Sequence, residues 1–118
     1  MPLVRPVRVL ATALMMIVIG LVACRPTNDA LVRATTLHPE GREVFERYNC
    51  IRCHNAGEGG YGPTLIQNVN LRDLEFIKRR IREGKQTGAA AMPAFPTMPA
   101  DELENVAKFV RALAGWER

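Results

Sequence analysis

The stretch Cys50-Ile51-Arg52-Cys53-His54 constrains this chain more than any other. It holds two of the three cysteines in 118 residues and follows them at once with one of only two histidines. Positions i, i+3 and i+4 share one face of a helical turn. Two thiols and an imidazole are therefore presented side by side, and any fold must leave room for whatever they hold.

Four readings compete for these residues. Two thiols on one helical face can add across the two vinyl groups of a porphyrin, and the adjacent histidine can ligate the iron. The order Cys-x-x-Cys-His reads as c-type haem attachment for that reason. A redox dithiol also uses Cys-x-x-Cys, but beside a βαβ pattern, and none appears. A zinc site needs four ligands; Cys50, Cys53, His54 and His38 are the only cluster on offer, and their spacing matches no familiar set. A Cys50–Cys53 disulfide would leave His54 unexplained. The motif favours haem.

The third cysteine has a different setting. Residues 9–23 read VLATALMMIVIGLVA, preceded by Arg5 and Arg8. A basic start, an apolar middle and a small-residue end are the layout of a secretory signal. The run is shorter than the roughly 20 apolar residues of a spanning helix. Leu21-Val22-Ala23-Cys24 resembles the bacterial lipobox, which implies lipidation at Cys24 and cleavage before it. The expected organisation is a lipoprotein signal peptide over 1–23, a lipidated N-terminus and linker over 24–37, and one domain over 38–118. The implied location is an exported, membrane-anchored one, facing the periplasm or the outer face of the cytoplasmic membrane. Loss of Arg5 and Arg8 with the signal takes the basic count from 16 to 14 against 12 acidic residues, a formal +2. Nothing in that balance points to nucleic acid.

Along the remaining chain the patterns are helical. Residues 25–37, RPTNDALVRATTL, show no sustained period and read as a linker of roughly 40 Å at full extension. Pro39, Glu40 and Glu43 suit a helix start, and Gly41, Val44, Phe45 and Tyr48 recur on one face, predicting a helix over about 39–51. Residues 55–70 read as loop. Gly57, Gly59 and Gly62 there satisfy GxGxxG by accident, because the nucleotide version lies between a strand and a helix. Asn70 is the expected cap of a second helix with Leu71, Leu74, Ile77 and Ile81 as its stripe and Gly84 as its stop. Its cations Lys78, Arg79, Arg80 and Arg82, with Lys85, suit either a solvated helix end or a patch for an acidic partner. Residues 85–98 read as a second loop, stiffened by Pro93, Pro96 and Pro99 at its end. A last helix over about 99–114 carries Leu103, Val106, Val110 and Leu113. No strand pattern appears. The expected fold class is all-α, about three main helices around one covalently bound haem.

An iron held by one histidine has a sixth position, and a methionine thioether there raises the reduction potential. Of the five methionines, Met92 and Met98 lie beyond the signal. Both sit in the proline-rich loop, where they look like poor core. With Gly41 and Phe45 ahead of Cys50, then CIRCH, then Gly62-Pro63-Thr64-Leu65, then Met92-Pro93-Ala94-Phe95 and a closing amphipathic helix, the region from about 38 to 115 resembles a class I bacterial cytochrome c. That resemblance implies crossed first and last helices meeting at Gly41, with Phe45 and Phe109 nearby. It implies haem c held through Cys50 and Cys53, His54 and Met92 as axial ligands, and the Pro63 carbonyl accepting from His54. Met98-Pro99 departs from the family's usual cap and leaves Met98 a second candidate for the ligand. The implied function is a membrane-tethered, monohaem carrier that passes single electrons between respiratory or photosynthetic redox partners, and not an enzyme. Two alternatives stay open: a fixed cytochrome c subunit of a membrane respiratory complex, and an open-site haem sensor or peroxidase-like enzyme.

Overall fold

The computed structural model describes residues 28–87 and 90–117. The signal-like segment and Cys24 lie outside the described residues. In chain order the elements are α1 (Asp29–Leu37), α2 (Pro39–Arg47), α3 (Cys50–His54), a 3₁₀ turn (Val69–Arg72), α4 (Leu74–Glu83), β1 (Lys85–Thr87), β2 (Ala90–Met92) and α5 (Ala100–Leu113).

α5 is the hub, with α1, α2 and α4 all packed on it. Its stripe explains this: Leu103, Val106, Phe109, Val110 and Leu113 recur every three or four residues and are all buried. Asp101 and Glu102 complement the dipole in its first turn. Pro99 stands at the cap position and supplies no side-chain cap.

α2 crosses α5 at Gly41. A Cβ built there would meet the Asn105 carbonyl and lie 2.6 Å from Phe109 Cβ, so only glycine allows this approach. The crossing brings Phe45 and Phe109 to a ring-centroid distance of 5.3 Å. Both are almost fully buried, and truncating either to alanine should cost about 3–5 kcal/mol.

The structure corrects several expectations. Residues 29–37 are helix, not linker. The Asn28 side chain caps α1 by accepting from Leu31 N at 3.0 Å, and Ala34 is buried in the core with Ala30 and Leu31 packed beside it. Asn28 Nδ2 also donates to the Ala56 carbonyl at 3.1 Å, and Arg33 pairs with Glu117. The segment docks because its stripe of small residues fits closely on α5. The predicted 39–51 helix is two helices, because Asn49 adopts a left-handed conformation, φ 57°, which asparagine tolerates better than most residues. The cap of α4 is Asp73, whose side chain accepts from Glu75 N at 2.9 Å. Asn70 instead lies inside the 3₁₀ turn. Residues 85–98 contain an antiparallel hairpin, with Lys85 opposite Met92 and Gln86 opposite Ala91. Three-residue strands are too short to carry an alternation in sequence. Met98 is buried in the core, contrary to its reading as poor core.

The α4 cations divide by role. Lys78 pairs with Glu104 of α5 and with Glu75 at 2.9 Å. Arg80 donates to the Gly84 carbonyl at 3.2 Å, satisfying the helix C-terminus. Arg79, Arg82 and Lys85 are exposed.

Among the described residues no helix is long and apolar enough to cross a membrane.

Candidate functional site

Asn49 turns the chain sharply before Cys50, so the short α3 leaves α2 in a new direction. Cys50 and Cys53 are both free thiols and both half-buried. Burial pushes the Cys50 thiol up to about 11, because a thiolate loses its hydration there. Among the described residues no three His, Cys, Asp or Glu side chains converge as a zinc site would require.

The loop after α3 folds back over His54. Gly57 N and Gly59 N donate to the His54 carbonyl at 2.9 and 3.2 Å, and Gly62 N donates to the Cys53 carbonyl at 2.9 Å. Gly62 lies flat against the imidazole. A Cβ built on it would be 2.7 Å from His54 Cε1 and 2.9 Å from Nδ1. The next carbonyl, of Pro63, lies 3.0 Å from His54 Nδ1. A carbonyl can only accept, so Nδ1 carries the proton and the Nε2 lone pair is left to bind a metal. The glycines that imitate a nucleotide motif thus shape a bracket for one imidazole. The bracket is anchored to the core by Leu65, which is buried and donates to the Gly57 carbonyl at 2.8 Å.

The methionine segment is held differently. Met92 ends β2 and is half-buried. Phe95 N donates to the Ile81 carbonyl at 3.0 Å, tying the segment to α4. The Phe95 ring stands edge-on to Tyr48, with centroids 5.6 Å apart and an interplanar angle of 87°. The Tyr48 hydroxyl donates to Glu102 Oε2 at 2.7 Å, and that bond raises the phenol above its usual value. Arg47 pairs with the same carboxylate. Tyr48 therefore links the approach to CIRCH, the methionine segment and the first turn of α5. Sequence reasoning placed Tyr48 on a helix face and missed this link, because the aromatic three residues after Phe45 looks like more core.

These residues fit a haem held by two thioethers and a histidine. Two unpaired thiols and one imidazole share a short helix, the imidazole is locked in the tautomer that leaves Nε2 available, and Tyr48, Ile51, Leu74, Phe76, Met92 and Phe95 are apolar side chains only partly covered by the core. A flat apolar ring is what such side chains can cover. Met98 is buried in the core and Met92 is more exposed.

The family model of cytochrome c oxidase, cbb3-type, subunit III, matches residues 37–110. The chain is 30% identical over 98 residues to cytochrome c6 of Cyanidium caldarium, an alignment covering 76% of this chain and 84% of that one. It is 32% identical over 84 residues to cytochrome c6 of Cyanidioschyzon merolae, covering 64% and 76%. It is also 31% identical over 90 residues to cytochrome c oxidase subunit 2 of Alkalihalophilus pseudofirmus, covering 66% of this chain but only 26% of that protein. No solved structure matches.

Proposed function

The chain belongs to the c-type cytochrome family, and from that membership we propose that it is a membrane-tethered, single-haem carrier that passes electrons one at a time between respiratory or photosynthetic partner proteins. Haem binding and electron transfer come with the family. The tether, the ligand set and the single covalent haem are the proposal's own content.

One observation carries the ligand set: His54 Nδ1 lies 3.0 Å from the Pro63 carbonyl, on the helix that presents Cys50 and Cys53. Cys50 and Cys53 would each form a thioether, and His54 Nε2 would ligate the iron from the same helix. Met92 would supply the second ligand to the iron, since Met98 is buried among core side chains. The bound haem supplies the one-electron Fe(III)/Fe(II) couple. The chain's own residues would hold the same ligands in both oxidation states. The Pro63 bond holds the imidazole orientation and tunes its basicity, and a Met92 thioether on the iron would favour the reduced state. With little ligand movement, little reorganisation opposes transfer.

The tether rests on the signal-like residues 9–23 and on Cys24. Lipid on Cys24 would hold the domain near membrane complexes and raise its effective concentration there.

A second reading has one observation in its favour. The matched family is described as an oxidase subunit, which makes a fixed subunit of a membrane respiratory complex the alternative to a tethered carrier.

The test uses the full-length gene expressed with haem-maturation machinery. The expected product keeps one haem per chain after denaturation and sits in the membrane fraction. Cys24→Ala moves it to the soluble exported fraction. Haem extracted by acid and organic solvent would refute covalent attachment, and an unchanged Cys24→Ala distribution would refute the lipid tether. Co-migration with a large complex after mild detergent extraction from the native membrane would favour the fixed subunit.

A further inference from the structure

Tyr48 is held at both ends. Its backbone N–H donates to the Val44 carbonyl at 3.0 Å, which fixes its place at the end of α2. Its hydroxyl donates to Glu102 Oε2 at 2.7 Å, and Arg47 engages the other carboxylate oxygen. A hydrogen bond to an ionised acceptor is among the stronger ones available to a side chain. The ring between these two anchors has little freedom to move.

Against this ring stands Phe95, edge-on at 5.6 Å. Phe95 lies three residues after Met92, and the intervening Pro93 has a locked φ. The β1–β2 pairing sets Met92 opposite Lys85, and beyond it the main chain of the segment has few ties. Phe95 N reaches the Ile81 carbonyl at 3.0 Å, and the Phe95 carbonyl accepts from Met98 N at 3.3 Å. The aromatic pair is thus a side-chain contact that joins the methionine segment to the chain leading into CIRCH.

We propose that Tyr48 is a positioning residue for the methionine segment: held by Glu102, its ring keeps Phe95 docked beside the approach to CIRCH and so keeps Met92 on the iron. The inference deepens the proposed function and rests on Met92 being the axial ligand. Tyr48 itself touches no reacting atom. Its role is to set how readily the segment swings away and lets another ligand in.

The experiment is an imidazole titration of the oxidised, haem-loaded protein, read as loss of the weak far-red absorption band of iron–thioether coordination. Imidazole competes with the methionine, so its apparent affinity reports how readily the segment opens. Tyr48→Leu removes the ring–ring contact and should keep the band in buffer. It should bind imidazole about five- to tenfold more tightly than the parent, the scale of one aromatic pair. Tyr48→Phe keeps the ring, loses the bond to Glu102, and should fall between the two; it serves alone should Tyr48→Leu fail to fold. Trp116→Phe removes the bond from Trp116 Nε1 to the Asn68 carbonyl, a contact outside the methionine segment. It should lower thermal stability without changing imidazole affinity, which separates positioning from general loosening. Unchanged imidazole affinity in both Tyr48 variants overturns the proposal while leaving Met92 in place as ligand. A far-red band that survives in Met92→Ala overturns the ligand assignment itself, and the proposal with it.

Discussion

The two sides of the site are built by different means. The histidine side is closed by backbone bonds within a short stretch of chain: Gly57, Gly59 and Gly62 donate to the carbonyls of Cys53 and His54, and Pro63 accepts from the ring. On the methionine side a short hairpin pairs Met92 with Lys85, but the chain beyond it depends on partners farther away in sequence: Ile81 for the Phe95 amide, Tyr48 for its ring, and Glu102 for Tyr48. Local closure costs less chain entropy than closure across most of a domain. The histidine bracket should therefore be the stiffer side, and the methionine side the one that opens first. An electron carrier would gain from this division, since the rigid histidine would keep the cofactor seated while the proposed methionine ligand would set the potential.

The largest expected effects come from removing the proposed ligands. His54→Ala should leave little haem-loaded protein, read by haem staining against total chain. Met92→Ala should accumulate normally, bind added imidazole freely, and lower the midpoint potential on the order of 0.1 V, a fraction of the ~0.8 V span that axial ligation controls. Equal losses of haem in both variants would erase the distinction between the two sides.

A smaller effect is expected where the bracket is overfilled. Gly62→Ala drives a Cβ into the His54 ring and should destabilise the protein by about 1–3 kcal/mol in denaturant melts. The far-red band should persist, since the methionine side is untouched. A stable variant would mean that the ring is free to move away.

Next comes the tether of Tyr48. Glu102→Gln keeps an acceptor for the hydroxyl but removes the charge and the Arg47 pair. A loss of about 1 kcal/mol is expected, with the far-red band lost at lower denaturant than the helical signal. Coincident loss of the two signals would contradict an independently opening methionine side.

The smallest effect concerns pH. Lys78 holds the Glu104 carboxylate below its ordinary value of 4.5, first through its hydrogen bond. A lowered carboxylate contributes stability that is complete above the unfolded value and is lost as pH falls through the folded one. The pair ties α4 to α5, and α4 carries the Ile81 carbonyl that holds Phe95. Glu104→Gln should therefore flatten part of the acid limb of the stability curve, by less than about 1 kcal/mol because the pair is partly exposed. An unaltered acid limb would show that this ion pair contributes nothing.

The same division decides what could be read from the sequence. CIRCH, Gly62-Pro63 and the α5 stripe are local patterns, and the helices and glycine contacts appear where those patterns place them. Gly41 was legible through the family resemblance, which implies a close helix crossing there. The linker reading of residues 25–37 failed because α1 is held by small residues, Ala30 and Ala34 around Leu31, which give a weak stripe. Asn28 followed by Asp29 was the available signal, a cap and a first-turn acid. The break at Asn49 was hidden because asparagine also occurs within helices. The Tyr48–Phe95 contact and the Lys78–Glu104 pair join residues far apart in the chain, and no local pattern encodes such pairings. Met98 was misjudged for the same reason: it is buried in a core cluster assembled from residues along the whole domain, which no local pattern encodes.

The most direct measurement is the optical spectrum of the oxidised, haem-loaded protein at neutral pH, taken for the parent chain and for Met92→Ala. The account predicts a far-red thioether band in the parent and none in the variant. A parent without the band would contradict a closed histidine–methionine site and bring the open-site sensor or enzyme forward. A variant that keeps the band would move the ligand to Met98.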